Sequence, residues 1–349
     1  MTASLATHSL ETPAASWSPW QWLYGGVHAA RHAWYRRRAQ RLPRPVVSVG
    51  NLHWGGGGKT PLVAAIASHL RDAGRRVTIL TRGYGSKGNG VRILSRGDGP
   101  LLGPKLAGDE PVLLAGELPR VSVVVCPDRY LAGRHALERL DPAPELFLLD
   151  DGFSHLALHR DLDLLAFPAA DPFAGGRLAP AGRLREPLRS ARRAHAVLLT
   201  GAPDSAADLG GELAAALRPH GFQGPGFASR TVSDSPRLAT RGEIRPGCRI
   251  LVVCGIARSA PFLESVSKLG FEIAERFVFA DHHPYPQASL DKITEAFSHH
   301  RAELVLTTGK DRVKLQGRLE LPLAEIPIRA EPEAGFFEWL DQALADLSR

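Results

Sequence analysis

Residues 45–60 read PVVSVGNLHWGGGGKT. Val46, Val47 and Val49 form an apolar run that breaks at Gly50-Asn51 into a glycine-rich loop, Gly55, Gly56, Gly57 and Gly58, ending in Lys59-Thr60. LVAAIASHL follows with helical periodicity, so the order is strand, loop, helix. Such a loop aims backbone N–H groups and a helix N-terminus at one point, where Lys59 reaches β- and γ-phosphates and the Thr60 hydroxyl ligates Mg²⁺. The phosphate-loop pattern asks for Gly where His53 stands, but four consecutive glycines keep the approach of phosphate open. His53, Trp54 and the four glycines with Lys59 and Thr60 are therefore the candidate nucleotide-binding residues.

Working outward, apolar runs at 75–80, 121–125, 146–149, 162–167 and 196–200 alternate with helical segments, the signature of a parallel sheet covered on both faces. Ligands to such a sheet collect at the carboxyl ends of its strands. Arg82 and Tyr84 follow the second run, and either substrate contact or a simple turn accounts for them. Asp150 and Asp151 follow Leu146–Leu149, and an acid at a buried strand tip downstream of a phosphate loop is the expected Mg²⁺ partner. Asp109-Glu110 open a helix, where capping alone is an alternative. Arg183, Arg185 and Glu186 lie in a Pro- and Arg-rich loop whose guanidinium groups suit phosphate. After a break at 241–243, RILVVCGIA begins a smaller α/β unit with Asp281-His282-His283 at a strand tip. The expected fold is an α/β, P-loop NTPase-like doubly wound sheet over 45–240, a smaller α/β domain over 241–349, and an N-terminal amphipathic helix within 1–44.

The three cysteines, Cys126, Cys248 and Cys254, have no C-x-x-C spacing, which argues against a zinc site or disulfide framework and for a reducing compartment. No run reaches the ~18 apolar residues of a spanning helix. Of the net charge of +7, residues 1–44 hold most: six arginines against the single acid Glu11. Ser18 offers an N-cap and Pro19 the first helical position, after which Trp20, Leu23, Val27, Ala30 and Trp34 form one stripe. Trp17, Trp20, Trp22 and Trp34 are four of six tryptophans, and Trp with Arg suits a membrane interface. A soluble surface helix has the same amphipathic pattern. Nucleic acid is not an expected partner, because the charge is confined to the N-terminus and no RNA-module signature accompanies it. A P-loop regulatory switch would use Lys59, Thr60 and Asp150 but leaves LREP, DHH and the aromatic helix without a role.

Taken together, SVGNLHWGGGGKTP, TRGYG, GDEP, DDGFSH, PAGRLREP, FADHH and TTGKDRVKL resemble the tetraacyldisaccharide 4'-kinase family over about residues 20–315. The resemblance implies phosphorylation, by ATP with Mg²⁺, of the 4'-hydroxyl of a tetraacyldisaccharide 1-phosphate, giving lipid IVA in lipid A biosynthesis. It implies a peripheral enzyme at the cytoplasmic face of the bacterial inner membrane, anchored by the N-terminal helix, with no obligate protein partner. By position it implies that Lys59 and Thr60 hold phosphates and metal. Asp109 corresponds to the catalytic acid, paired with His282, and Glu110, Asp150 and Asp151 to the metal-associated acids. Arg185 and Glu186 match a further functional pair, read here with Arg82 and Tyr84 as substrate contacts. Ser154 and Gly309 stand where the family carries Gln and Glu.

Overall fold

The computed structural model describes residues 10, 12, 19–55, 57–203, 208–240 and 242–347; Trp17, Gly56 and Arg241, and the side chains of Trp20, Trp22 and Leu23, lie outside what is described. The chain runs through α1 (Pro19–Arg36), β1 (Val46–Asn51), α2 (Lys59–Asp72), β2 (Val77–Thr81), β3 (Arg92–Ser95), α3 (Pro104–Ala107), α4 (Asp109–Glu117) and β4 (Ser122–Val125). It continues through α5 (Arg129–Arg139), β5 (Leu146–Asp150), β6 (Leu162–Pro168), β7 (Ala196–Thr200), α6 (Leu209–Leu217) and β8 (Gly226–Ser233). A second group follows: β9 (Arg237–Leu238), β10 (Arg249–Cys254), α7 (Ala260–Ser267), β11 (Glu272–Val278), α8 (Gln287–His299), β12 (Leu304–Thr308), α9 (Gly309–Leu315) and β13 (Leu323–Ile326). β14 (Ile328–Pro332) and α10 (Ala334–Asp346) end it.

Nine strands form one sheet in the order β14-β8-β7-β6-β1-β5-β2-β4-β3, parallel except at its edges, β3 and β14. β1, β2, β5, β6 and β7 are buried along their whole length, which is why they read as unbroken apolar runs. β1 lies between β5 and β6, so successive connections leave it in opposite directions and a crevice opens at its carboxyl end, where the phosphate loop emerges. The second sheet, β11-β10-β12-β13-β9, is parallel except for β9 and has apolar clusters on both faces.

One stretch fills in the expected large domain and another departs from the expected division. Residues 201–245 contain α6 and β8, the latter half-buried along one edge and therefore without a continuous apolar run. The C-terminal segment, expected with the smaller unit, returns to the large sheet instead. β14 pairs antiparallel with β8, satisfying its otherwise open edge, and α10 buries Phe336, Leu340 and Leu344 in the large core.

Helix α1 turns Gly25 inward, where an added Cβ would lie 3.4 Å from the Arg189 guanidinium. Val27, Ala30 and Trp34, on the opposite side, are exposed. The described part of the apolar stripe therefore faces outward, not onto the domain beneath it.

Candidate active site

Gly58, in the left-handed region at φ 69°, caps α2 without a side-chain hydrogen bond, leaving the first N–H groups of the helix for an anion. The loop is pressed against its surroundings. A Cβ on Gly57 would stand 2.6 Å from Asn51 Nδ2, and one on Gly58 3.0 Å from Thr200, whose hydroxyl donates to the Gly57 carbonyl at 2.9 Å. Lys59 Nζ donates to Asn51 Oδ1 at 3.0 Å and lies 3.3 Å from Asp151 Oδ1. Thr60 is buried beside it in the first turn. His53 is placed elsewhere: it is bridged to Leu184 and packs edge-on against Phe167, and burial lowers its pKa to about 4, so the ring is neutral. Trp54 stays exposed, with the Arg185 guanidinium 5.9 Å from its ring.

Asp150 ends β5 in register with Val49 of β1 and accepts a hydrogen bond from Thr81 Oγ1 at 3.2 Å. Burial, then the charges of Glu110 and Asp151, push its carboxyl well above the usual carboxylate range. Asp151 takes the opposite course. Its φ of 53° turns it toward Arg185, which grips it bidentately at 2.9 and 2.8 Å; burial opposes the charge, but Arg185 and Lys59 hold its carboxyl well below the usual range. Among the described residues no three His, Cys, Asp or Glu side chains form a metal cage by themselves. Mg²⁺ at a nucleotide site needs only one or two carboxylates, with substrate phosphates completing its shell. Asp150, whose carboxyl Glu110 and Asp151 repel, fits that arrangement, with Glu110 and Thr60 as candidate accompanying donors; Glu110 is held by Lys310, and Asp151 by both Arg185 and Lys59.

Asp109 is the first residue of α4, and its Oδ2 lies 2.9 Å from His282 Nδ1, a residue in the left-handed region at the end of the β11 connection. Burial works against its charge, but the His282 hydrogen bond, with His282, Lys314 and Lys310 nearby, keeps the Asp109 carboxyl down at about 2. The same hydrogen bond raises the His282 pKa. Lys314 Nζ stands 3.7 Å from Asp109 and 2.9 Å from the buried Asp311, which also accepts from the Gly255 amide at 2.8 Å. Glu110 pairs with Lys310 of α9. Tyr84 is exposed with its ring 5.8 Å from that of His282, and Arg82 is exposed at the tip of β2. Glu186 is 3 % exposed, accepts from Ser154 Oγ at 2.6 Å and pairs with Arg193. It forms a buried wall of the site and fixes the loop that carries Arg185.

The family model for tetraacyldisaccharide-1-P 4'-kinase matches residues 14–345. This chain belongs to that kinase family. It is 40% identical over 306 residues to the tetraacyldisaccharide 4'-kinase of Geobacter sulfurreducens, covering 85% of this chain and 83% of that protein. It is 37% identical over 321 residues to the tetraacyldisaccharide 4'-kinase of Syntrophotalea carbinolica, with 89% and 86% covered. Its fold superposes on a crystal structure of LpxK from Aquifex aeolicus in complex with ATP with a TM-score of 0.73 at 32% identity, over 93% of this chain and 98% of that one.

Several residues of this 4'-kinase site lie within the quoted motifs without a role assigned to them from the sequence. Asn51, the last residue of β1, accepts from Lys59 and from the Arg185 guanidinium; apart from its motif, its signal is a polar side chain closing an apolar strand. Lys310 and Lys314 reach Glu110 and Asp109 from α9, and their four-residue spacing directly after the Thr307-Thr308 strand tip puts both on one helix face.

Proposed function

We propose that the chain transfers the γ-phosphoryl group of ATP to the 4'-hydroxyl of a tetraacyldisaccharide 1-phosphate. The observation that carries this reading is the 2.9 Å contact between Asp109 and His282, joined through Glu110 and Asp150 to a phosphate loop with Lys59 at its mouth. The 4'-oxygen bonds to the γ-phosphorus, the bond from that phosphorus to the β-bridging oxygen breaks, ADP leaves, and the hydroxyl proton passes to Asp109. A carboxylate held at about 2 is a weak base, suited to taking the proton late, once the oxygen is partly bonded to phosphorus and acidic. His282 and Lys314 orient that carboxylate, while Lys59 and the free amides of α2 meet the charge on the transferring group. Mg²⁺, held by Thr60, Glu110 and Asp150, would supply further neutralisation of the phosphate oxygens. Because Asp109 and Glu110 lie on the large unit and their partners His282 and Lys310 on the smaller one, movement between the two would assemble the base and exclude water.

No helix among the described residues is long and apolar enough to cross a membrane. The outward stripe of Val27, Ala30 and Trp34, beside exposed Arg37, Arg38, Arg41 and Arg44, supports peripheral attachment to an anionic lipid surface, read here as the cytoplasmic face of the inner membrane. The test is single-turnover transfer of labelled γ-phosphate to the tetraacyldisaccharide 1-phosphate in mixed micelles. Labelled lipid from wild type and about 10²- to 10⁴-fold less from Asp109→Asn is expected. A folded wild type that binds ATP and labels no lipid would sink the reading.

A further inference from the structure

Basic residues gather at a second place besides the N-terminal helix. Residues 82–107 carry Arg82, Lys87, Arg92, Arg96 and Lys105 against the single acid Asp98. Two of the arginines are engaged: Arg92 donates to the Leu106 carbonyl at 2.6 Å and Arg96 to the Arg139 carbonyl at 2.8 Å. Arg82, Lys87 and Lys105 are exposed, and among the described residues none of the three pairs with a carboxylate. Large apolar side chains stand out beside them, Tyr84 at 68 % and Leu106 at 48 % exposure.

The backbone joins these side chains into one surface. The loop from β2 to β3 passes through the left-handed region at Gly83, Gly85 and Gly90, which lets it lie against α3. The Lys87 amide donates to the Lys105 carbonyl at 3.0 Å, and a Cβ on Gly83 would stand 2.9 Å from the Ala107 carbonyl oxygen. Tyr84 and Lys87 on the loop therefore adjoin Lys105 and Leu106 on α3.

This surface also borders the mouth of the site. Arg82 and Arg31 of α1 line one cavity, and the Tyr84 ring lies 5.8 Å from that of His282. Both α1 and the loop thus flank a single opening, each with exposed apolar side chains beside exposed basic ones. Leucine and tyrosine next to lysine suit an anionic bilayer, where the apolar groups enter at headgroup depth and each ammonium gains from the negative surface potential. The proposed acceptor is itself a lipid of such a bilayer, so contacts around the opening hold the cleft against its source.

We propose that the β2–β3 loop and α3 form a second contact with an anionic phospholipid bilayer, seating the enzyme by two points that border one opening. The assignment rests on the peripheral attachment read above and adds a contact made by the large domain itself, apart from α1.

Flotation of the full chain on vesicles with and without anionic phospholipid tests it. Lys87→Glu with Lys105→Glu should weaken binding to anionic vesicles about 10- to 100-fold, the range for reversing two charges at such a surface, and leave binding to neutral vesicles unchanged. Leu106→Ser should weaken binding to both kinds about three- to tenfold. These exposed variants should unfold at the wild-type temperature and transfer phosphate in neutral detergent micelles at the wild-type rate. Val27→Glu with Trp34→Glu on α1 is floated beside them. Losses in both the loop and α1 variants uphold two contacts; loss in the loop variants alone upholds the loop and sinks the α1 attachment. Loop variants that float as wild type does, while the α1 variant does not, overturn the proposal and leave attachment through α1 standing. Equal flotation of every variant overturns both. A charge-reversal loss that is equal on anionic and neutral vesicles, or that comes with slower transfer in neutral micelles, would assign the lysines to the fold or the active site and likewise overturn the proposal.

Discussion

Gly50 shows how little room the site leaves at single residues. A Cβ there would lie 2.4 Å from Phe153 Cβ and 2.8 Å from the Phe153 amide nitrogen, so β1 and the loop carrying Asp150 and Asp151 meet backbone to backbone. Gly50→Ala should therefore lower stability by about 1–3 kcal/mol, read from thermal unfolding, because neither side can retreat without moving the acids. Unchanged unfolding would show that the loop yields. Asn51, next along, ties Lys59 to the strand, and its truncation to Ala should reduce kcat/KM for ATP about tenfold, the worth of one charge-assisted hydrogen bond. Phosphate-loop chemistry at Lys59 and Thr60 is local and was legible in the sequence. The contact of Asp109 with His282 spans 173 residues, and no spacing rule reaches across that distance; only the resemblance brought the two together. Glu186 illustrates the reverse limit, because an acid beside an arginine reads as a surface contact until burial and Arg193 are seen.

At the scale of elements, α4 acts as a bar held at both ends. Asp109 and Glu110 at its start meet His282 and Lys310, while Glu117 at its end comes within the field of Glu325 on β13. Burial, and then the Glu325 charge, raise the Glu117 pKa from its ordinary 4.5 to about 7, against the opposing charges of Arg237 and Arg312, which themselves pair with Glu325. Between these values the folded protein keeps a proton that the unfolded chain releases. The stabilisation from that proton is complete below about pH 4.5 and is lost as pH rises through about 7. Glu117→Gln should then be more stable than wild type by about 1–3 kcal/mol at pH 8 and nearly equal to it at pH 4, with unfolding midpoints measured at both. A parallel pH dependence in the two proteins would count against the buried proton. Strands buried on both faces were readable as apolar runs, whereas β8, exposed over much of its second half, and β14, nowhere fully buried, offer no such run.

For the molecule as a whole, alternation of strand and helix identifies a doubly wound sheet but does not fix which strand borders which, and nothing in residues 328–346 announces that they leave the second sheet to complete the first. That return depends on an open edge at β8, a property of the assembled sheet. The outward face of α1 is likewise a whole-molecule property: the stripe is visible in sequence, but whether it turns inward or outward is decided by Gly25 lying against Arg189. Val27 and Trp34 are 62 % and 53 % exposed, a state that costs nothing if they enter a lipid interface. Val27→Glu with Trp34→Glu should weaken binding to vesicles of anionic phospholipid about 10- to 100-fold, from the transfer of two large apolar side chains, while leaving the unfolding temperature in solution unchanged. Flotation of wild type and the double variant on the same vesicles measures the first quantity and scanning calorimetry the second. Equal flotation would mean that the stripe does not meet lipid. A lowered unfolding temperature would mean instead that it packs on the chain's own surface, and either result would return the acyl chains of the acceptor to some other face of the kinase.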